Sequence, residues 1–389
     1  MRFMSFMQLA LIMMVLQWGG CALESSNLLE NISDQSNMSN LDLRNINMAG
    51  MHMNQSNMIA SDMRGTNIDG SYLISAWLND ANLSGASLIN ADLTGAFLNN
   101  ADLGEADLSD STLTGAKITG SNLKNARLVN VDLTNADLSD TDLSDADLTD
   151  ARLFRADLSG ATMRNLYLFK ANLIGAHLNW ADLSGAFLSR SQLSRAELYG
   201  ANLSGADMSN VDLTRSYLMR ANLAGAYLDS ASMEYADLTE ANLSGASLSR
   251  TGLQYADLTR ADLTNADCSD ASMDSIRLMG ATMKNARLDR IQLYKADFQG
   301  LNLAGASLKK SVLTTSYLVN ANLSHADLKG ASFKYVDFTG ANLTGANLMD
   351  ISCDQFTLIS LAKAKLDGAA MNEKLRSDLM ALSGSDLGP

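Results

Sequence analysis

From Met38 onward every fifth residue of this chain is apolar, through Met48, Leu83 and Leu203 to Leu348, Cys353 and Leu358. The run covers 65 consecutive positions without a slip of register, and most of them are leucine. Two residues before each stands a second small or apolar residue, usually alanine, as in Ala81-Asn82-Leu83-Ser84-Gly85. A repeat of this length has to be read before any single element, because missing it misassigns the whole fold. On an α-helix five residues advance about 140° beyond one full turn, so the leucines would spiral around the entire surface. On an uninterrupted strand an odd period would place them on alternate faces. The pattern suits a chain that bends after each five residues and points one long and one small side chain inward from every side.

A second period gives the number of sides. Sorted every twenty residues, the position two after the central one is Gly or Asn in 13 of 16 cases along Asn45, Gly65, Gly85 and their successors to Gly345. The corner running through Arg155 and Arg195 has only 4 of 16. A fourfold coil is therefore written into the chain. Gly and Asn accept positive φ, so the Asn45–Gly345 corner is expected to be a type II turn.

The motif Ala-(Asp/Asn)-Leu-x-x, seen at Ala81-Asn82-Leu83, Ala91-Asp92-Leu93 and Ala201-Asn202-Leu203, resembles the pentapeptide-repeat proteins, and the resemblance covers residues 38–358. It implies an all-β fold, the right-handed quadrilateral parallel β-helix of that family. Sixteen coils at a strand spacing of ~4.8 Å would make an unbroken rod of roughly 78 Å. No internal domain boundary is visible. The β-helix is expected over residues 38–360 and a C-terminal cap over 361–389. Within the cap Met371, Leu375, Leu379 and Leu382 recur at helical spacing, predicting a capping helix over 369–382 that covers the exposed strand edge. In some members of that family a C-terminal segment also mediates dimerisation, so a homodimer through this helix is the second expectation.

The N-terminus is a separate object. Arg2 precedes an apolar run from Phe3 to Leu16, and Trp18-Gly19-Gly20-Cys21 follows. A basic start, a short apolar stretch and small residues before the cut mark a secretory signal over residues 1–20. Small residues directly before Cys21 resemble the bacterial lipobox, although Trp18 stands where leucine is usual. That resemblance implies an acylated Cys21, a polar tether over residues 21–37, and a membrane lipoprotein of the bacterial cell envelope. Ala22 in place of Asp points to outer-membrane rather than inner-membrane sorting.

Groups suited to catalysis are scattered. His52, His177 and His325 are more than six coils apart on this register, so no two can share a metal or form a proton relay. Cys268 and Cys353 both occupy central inward positions, about four coils or ~20 Å apart, beyond the reach of a disulfide. They are expected to be core thiols. Eleven acids face three bases in residues 101–150, where Asp140, Asp142, Asp145, Asp147 and Asp150 crowd half a coil. A solvated acidic patch is expected there rather than a calcium site. With no phosphate loop and no nucleophile paired with a base, the chain reads as a binding protein without enzyme activity, metal or cofactor.

The four sides differ in what they present. The side carrying Asn82, Asp102, Asn122, Asp142, Asp182 and Asn202 has Asn or Asp before the central residue in 14 of 16 coils and no aromatic residue, as a structural hydrogen-bond ladder would. The other three sides carry the variation. Trp77, Phe97, Tyr217 and Tyr317 share one, and Tyr167, Phe187 and Tyr227 another. One corner holds Arg155, Arg195, Arg215, Tyr235, Tyr255, Lys295 and Tyr335. Its neighbour holds Lys170, Arg190, Arg250, Arg290 and Lys310. Cations interleaved with aromatics suit a protein, glycan or anionic envelope partner. The net charge of −14 speaks against nucleic-acid binding. The family offers one alternative, a DNA mimic that protects or inhibits gyrase. Residues 151–310, with 17 basic and 16 acidic side chains, lack the acidic surface such mimicry needs.

Overall fold

The computed structural model describes residues 32–383, which fall into two compact units, Met1–Phe187 and Leu188–Pro389. The repeat register passes the division unchanged, which is why the sequence gives no sign of it. The segments expected to be a signal and, for the most part, a tether, together with Cys21 as the expected lipidation site, lie outside the described residues.

Within each unit, residues twenty apart pair in parallel, as in Asn82↔Asp102 and Trp77↔Phe97 of the first and Asn222↔Asn242 and Tyr227↔Ser247 of the second. Each unit is thus a four-sided parallel β-helix with twenty residues per coil. The reason lies in where the five N–H groups of a repeat go, since a buried backbone donor without a partner is costly. Around Leu83, Asn82 N–H donates to Ser61 O at 2.9 Å, Leu83 N–H to Asp102 O at 2.6 Å, and Gly85 N–H to Gly104 O at 2.9 Å. Ala86 N–H closes the turn onto Leu83 O at 2.9 Å. The fifth donor, Ser84 N–H, goes to the Asn82 side-chain oxygen at 3.0 Å. All five are satisfied, three of them by neighbouring coils.

This accounting explains the Asn or Asp before each central residue: its oxygen takes the one donor that no carbonyl reaches. At several coils where that residue is something else, the previous coil substitutes. Ser87 cannot serve Ile89, whose N–H instead reaches Asp69 Oδ1 at 2.9 Å, and Tyr72 cannot serve Ile74, which reaches Asn54 Oδ1 at 2.9 Å. On the plain side Asn amides also bridge coils, Asn222 to Asn202 at 3.0 Å and Asn242 to Asn222 at 3.1 Å.

The expected type II turn is present along the Asn45–Gly345 corner, but it is not confined to it. Corner residues on all four edges have positive φ, including Arg155 at 54°, Trp180 at 63°, Tyr235 at 61° and the β-branched Thr315 at 54°. With φ positive only at the third turn residue and a bond from the fourth N–H to the first carbonyl, these are type II turns wherever that bond closes. Gly and Asn merely adopt this conformation at least cost. Arg, Tyr and Lys are held in it because their own N–H bonds the next coil, as Tyr235 N–H does to Gln254 O at 3.0 Å.

The core is the ladder itself, with Leu83, Leu203 and Leu223 among its fully buried members. Serines in the small inward positions turn back on the backbone, Ser61 Oγ donating to Met58 O at 2.7 Å. In the second unit one edge opens into short strands, β1 Gln292–Tyr294, β2 Val312–Thr314, β3 Ser332–Lys334 and β4 Ser352–Cys353, paired in that order in one parallel sheet.

The repeat fold stops earlier than the sequence register. Leu358 does not begin another side, because residues 355–361 form helix α1, Gln355–Leu361, capped by the Asp354 carboxylate accepting Thr357 N–H at 2.9 Å. The capping helix expected over 369–382 is α2, Glu373–Ser383. Its expected first turn is extended instead: Ala370 pairs with Asn347 and its carbonyl accepts Leu348 N–H at 2.7 Å. The helix starts only after Asn372, whose side chain takes Leu375 N–H at 2.9 Å. Backbone edge needing a partner outcompetes helical propensity over these four residues.

Cys268 is a core thiol, as expected. Cys353 is half-buried instead, since α1 leaves no full coil over it. Burial, reinforced by Asp267, pushes the Cys268 thiol up to about 12. Burial, with Asp354 and Asp378, raises Cys353 as well. Alkylation of the native protein at pH 8, read residue by residue by mass spectrometry, is expected to label Cys353 well before Cys268. Equal rates would show that the core at Cys268 is open.

Candidate functional site

The candidate residues fall into three settings. In the first unit Trp77 and Phe97 sit on consecutive coils, 45% and 36% exposed. With Gln35, Asn37, Gln55, Asn57 and Ser75 they line a surface groove of about 610 Å³. Tyr217 and Tyr317 share their column position but lie five coils apart in the second unit. Each is flanked by acids, Tyr217 between Glu197 and Asp237 and Tyr317 between Asp297 and Asp337. The four aromatics therefore do not form one strip.

The mixed corner is also resolved into parts. In the second unit Arg195 N–H bonds Thr214 O, Arg215 N–H bonds Glu234 O and Tyr235 N–H bonds Gln254 O, so these three corners follow one another coil by coil. The Arg215 guanidinium lies 5.5 Å from the centroid of Tyr235, over its ring. Tyr235 in turn stacks on Tyr255 at 4.9 Å with the planes 7° apart. Both tyrosines are about half exposed. Lys295 lies over Tyr294 at 4.9 Å, and Tyr335 is covered by Lys334 at 5.7 Å. Arg155, in the first unit, folds over its own neighbour Phe154 at 5.1 Å.

Charge pairing separates Arg195 and Arg215 from most other arginines. Arg220 meets Glu240 at 2.7 Å, Arg277 meets Asp257 at 3.4 Å, Arg287 meets Asp267 at 3.3 Å and Arg290 meets Asp270 at 2.6 Å. Among the described residues no carboxylate lies within ion-pair distance of Arg195 or Arg215. Two like charges on adjacent coils without a counter-charge repel one another, and an anion placed between them would relieve that.

The acidic run at Asp140–Asp150 is taken up locally. Asp142 accepts Ser144 N–H at 2.9 Å, Asp147 accepts Thr149 N–H at 3.0 Å, and Asp145 accepts the Asn165 amide at 3.1 Å. Among the described residues no group of three His, Cys, Asp or Glu side chains is arranged to hold a metal ion.

The five-residue register matches the family model described as pentapeptide repeats over residues 36–73, 171–210, 206–245, 241–278, 276–314 and 316–350, and the pentapeptide repeat region model over 86–163. The chain belongs to the pentapeptide-repeat family. Its two units accordingly have the right-handed quadrilateral β-helix of pentapeptide-repeat proteins, which are in general structural or binding proteins rather than enzymes. No curated protein sequence matches this pentapeptide-repeat chain. Among solved structures it is similar to HetL, a pentapeptide-repeat protein involved in heterocyst differentiation regulation in the cyanobacterium Nostoc. The identity is 32%, over 62% of this chain and 90% of that one, with a TM-score of 0.30. A pentapeptide-repeat protein of the Arabidopsis thaliana thylakoid lumen is 28% identical over 29% of this chain and 69% of its own, with a TM-score of 0.15. QnrB1, a plasmid-mediated fluoroquinolone resistance protein, is 17% identical over 61% of this chain and 93% of its own, with a TM-score of 0.25.

What sequence reasoning missed is the pairing state of the arginines. The signal was in the twenty-residue sort: Arg220 precedes Glu240, and Asp270 precedes Arg290, by one coil, whereas Arg195 is followed by Arg215 and then Tyr235.

Proposed function

We propose that this pentapeptide-repeat protein is a non-enzymatic binding protein of the bacterial cell envelope, tethered through an acylated Cys21, whose Arg195–Arg215–Tyr235–Tyr255 corner takes an anionic partner. The observation that carries the binding reading is the pair of uncompensated guanidiniums on consecutive coils, continued by a stacked tyrosine pair. Backbone bonds to the next coil fix the corner geometry, so a polyanion meets its cations already in place and little ordering entropy is lost. The tyrosine edges beside them suit the rings of an acidic sugar or the side chains of an acidic protein surface.

Immobilised polygalacturonate is the probe. The full chain is expected to be retained at low salt, to elute as ionic strength rises, and to lose about tenfold in affinity in Arg195→Ala/Arg215→Ala, in line with one to two desolvated charge contacts. Retention unchanged in that variant would remove the corner from the reading. The anchor is tested separately with a clickable fatty acid in growing cells: label on the protein is expected, and its persistence in Cys21→Ala would sink the lipid tether. The basic corner and the near-neutral stretch of residues 151–310 weigh against the DNA-mimic alternative.

A further inference from the structure

The geometry points to the Trp77–Phe97 groove of the first unit as a binding site for a neutral carbohydrate. Three features of the groove converge on that chemistry, and none depends on the basic corner of the second unit.

The two aromatic rings do not cover each other. Where other exposed rings meet on consecutive coils they stack: His52 on Tyr72 at 4.6 Å, Tyr167 on Phe187 at 4.8 Å, Tyr235 on Tyr255 at 4.9 Å. Trp77 and Phe97 are paired through the backbone in the same way yet form no such stack. Neither ring covers the other, both are partly exposed along the groove, and the negative face of an aromatic ring attracts the polarised C–H groups on the flat side of a pyranose.

The polar groups are amides with donors to give. Asn57 Oδ1 accepts Ile59 N–H at 3.1 Å and Asn37 Oδ1 accepts Ser39 N–H at 3.3 Å, fixing the orientation of both side chains. Their amide N–H groups bond nothing among the described residues. Gln35 Nε2 donates to Gln55 Oε1 at 3.2 Å, which leaves the Gln35 oxygen as one acceptor and the Gln55 amide N–H as one donor without a partner among the described residues. Ser75 adds a hydroxyl. A hydroxyl-rich ligand, each group of which both gives and takes a hydrogen bond, matches this mixture.

No lining residue carries a charge. An anionic ligand would surrender its hydration without a cation in return, so the groove discriminates against charged sugars. Its volume of about 610 Å³ suits a ligand of two or three sugar rings. The lining column runs Asn37, Asn57, Trp77, Phe97 along consecutive coils, so an oligosaccharide lying along it would contact the amides with one ring and the aromatics with the next.

The test uses the full chain and four soluble neutral probes: maltohexaose, cellohexaose, mannohexaose and N-acetylchitohexaose. Oligogalacturonate, presented to the Arg195→Ala/Arg215→Ala chain so that the basic corner is silent, is the charged control. Binding is read by saturation-transfer NMR and by calorimetry. At least one neutral oligosaccharide is expected to bind with a Kd in the range of about 10 μM to 1 mM, weakening about tenfold or more in Trp77→Ala. Trp77→Phe is expected to retain most of the affinity, which a merely structural tryptophan would not require. Asn57→Asp keeps the carbonyl-type acceptor for Ile59 but removes the free donor, and should weaken binding while leaving the thermal transition in place. No binding of any neutral probe at 10 mM, oligogalacturonate binding by Arg195→Ala/Arg215→Ala that weakens in Trp77→Ala, or neutral binding indifferent to Trp77→Ala would each overturn the assignment.

Discussion

Leu223→Asp is expected to cost at least about 4 kcal/mol, the largest effect of any single substitution considered for this protein. Leu223 is fully buried, and its coil is bonded on both sides: its own N–H to Asn242 O at 2.7 Å, and Leu203 N–H to Asn222 O at 2.7 Å. A carboxylate there has no cation and no donor within the ladder. Leu223→Ala, which only leaves a cavity, is expected to cost about 2–5 kcal/mol. Because each coil touches only its neighbours, the damage should be local. Hydrogen exchange read by mass spectrometry should rise first at the amides of Leu203, Leu223 and Leu243, and far less thirty residues beyond. A surface control, Met279→Ala at a residue 72% exposed, should change stability by no more than about 0.5 kcal/mol. If Leu223→Ala behaves like that control, the ladder is not what holds this β-helix together.

Thr357→Val with Ser360→Ala is expected to lower stability by about 2–6 kcal/mol, with the loss centred on the C-terminal end of the second unit. A β-helix that stops leaves its last coil with N–H groups pointing at nothing. Here two buried hydroxyls of α1 take the place of the missing coil: Val336 N–H donates to Thr357 Oγ1 and Phe338 N–H to Ser360 Oγ, each at 3.0 Å. Asp354 serves Tyr335 N–H in the same way at 3.0 Å. Removing both hydroxyls strands two buried donors, each at a cost of about 1–3 kcal/mol. Faster exchange at Val336 and Phe338 is the specific signature, and Thr357→Ser should preserve the native rate. Wild-type exchange in the double variant would mean that water or a shifted helix supplies the acceptors.

The same end shows where a repeat register misleads. Leu358 and Cys353 extend the apolar period faithfully, yet Cys353 is only half-buried and Leu358 lies within a helix. A period records which side chains are apolar. It does not record whether another coil follows to bury them. Likewise Met371 to Leu382 have helical spacing, but Ala370 is drawn into β pairing because Leu348 N–H needs its carbonyl.

The candidate surfaces were legible to a similar extent. Column membership is arithmetic on the numbering, so the sequence identified which residues point outward and which stand one coil apart. Whether a ring stacks on its neighbour, as Tyr235 does on Tyr255, depends on side-chain rotamers that no period encodes. Whether an arginine has a carboxylate one coil away, as Arg220 has Glu240, is legible in the same sort, while the 2.7 Å contact itself belongs to the structure.

The sequence alone therefore determined the four-sided coil, its inward ladder and its outward columns, because a five-residue period with a fourfold modulation suits a coil in which four of the five N–H groups of a repeat meet backbone carbonyls, as around Leu83. Only the tertiary structure decided where that solution ends, how α1 and residues 362–370 cover the open edge, that all four corners share one backbone conformation, and which exposed cations and rings remain unmatched. Those outcomes turn on the availability of a hydrogen-bond partner or a counter-charge in three dimensions, and a one-dimensional repeat holds no such information.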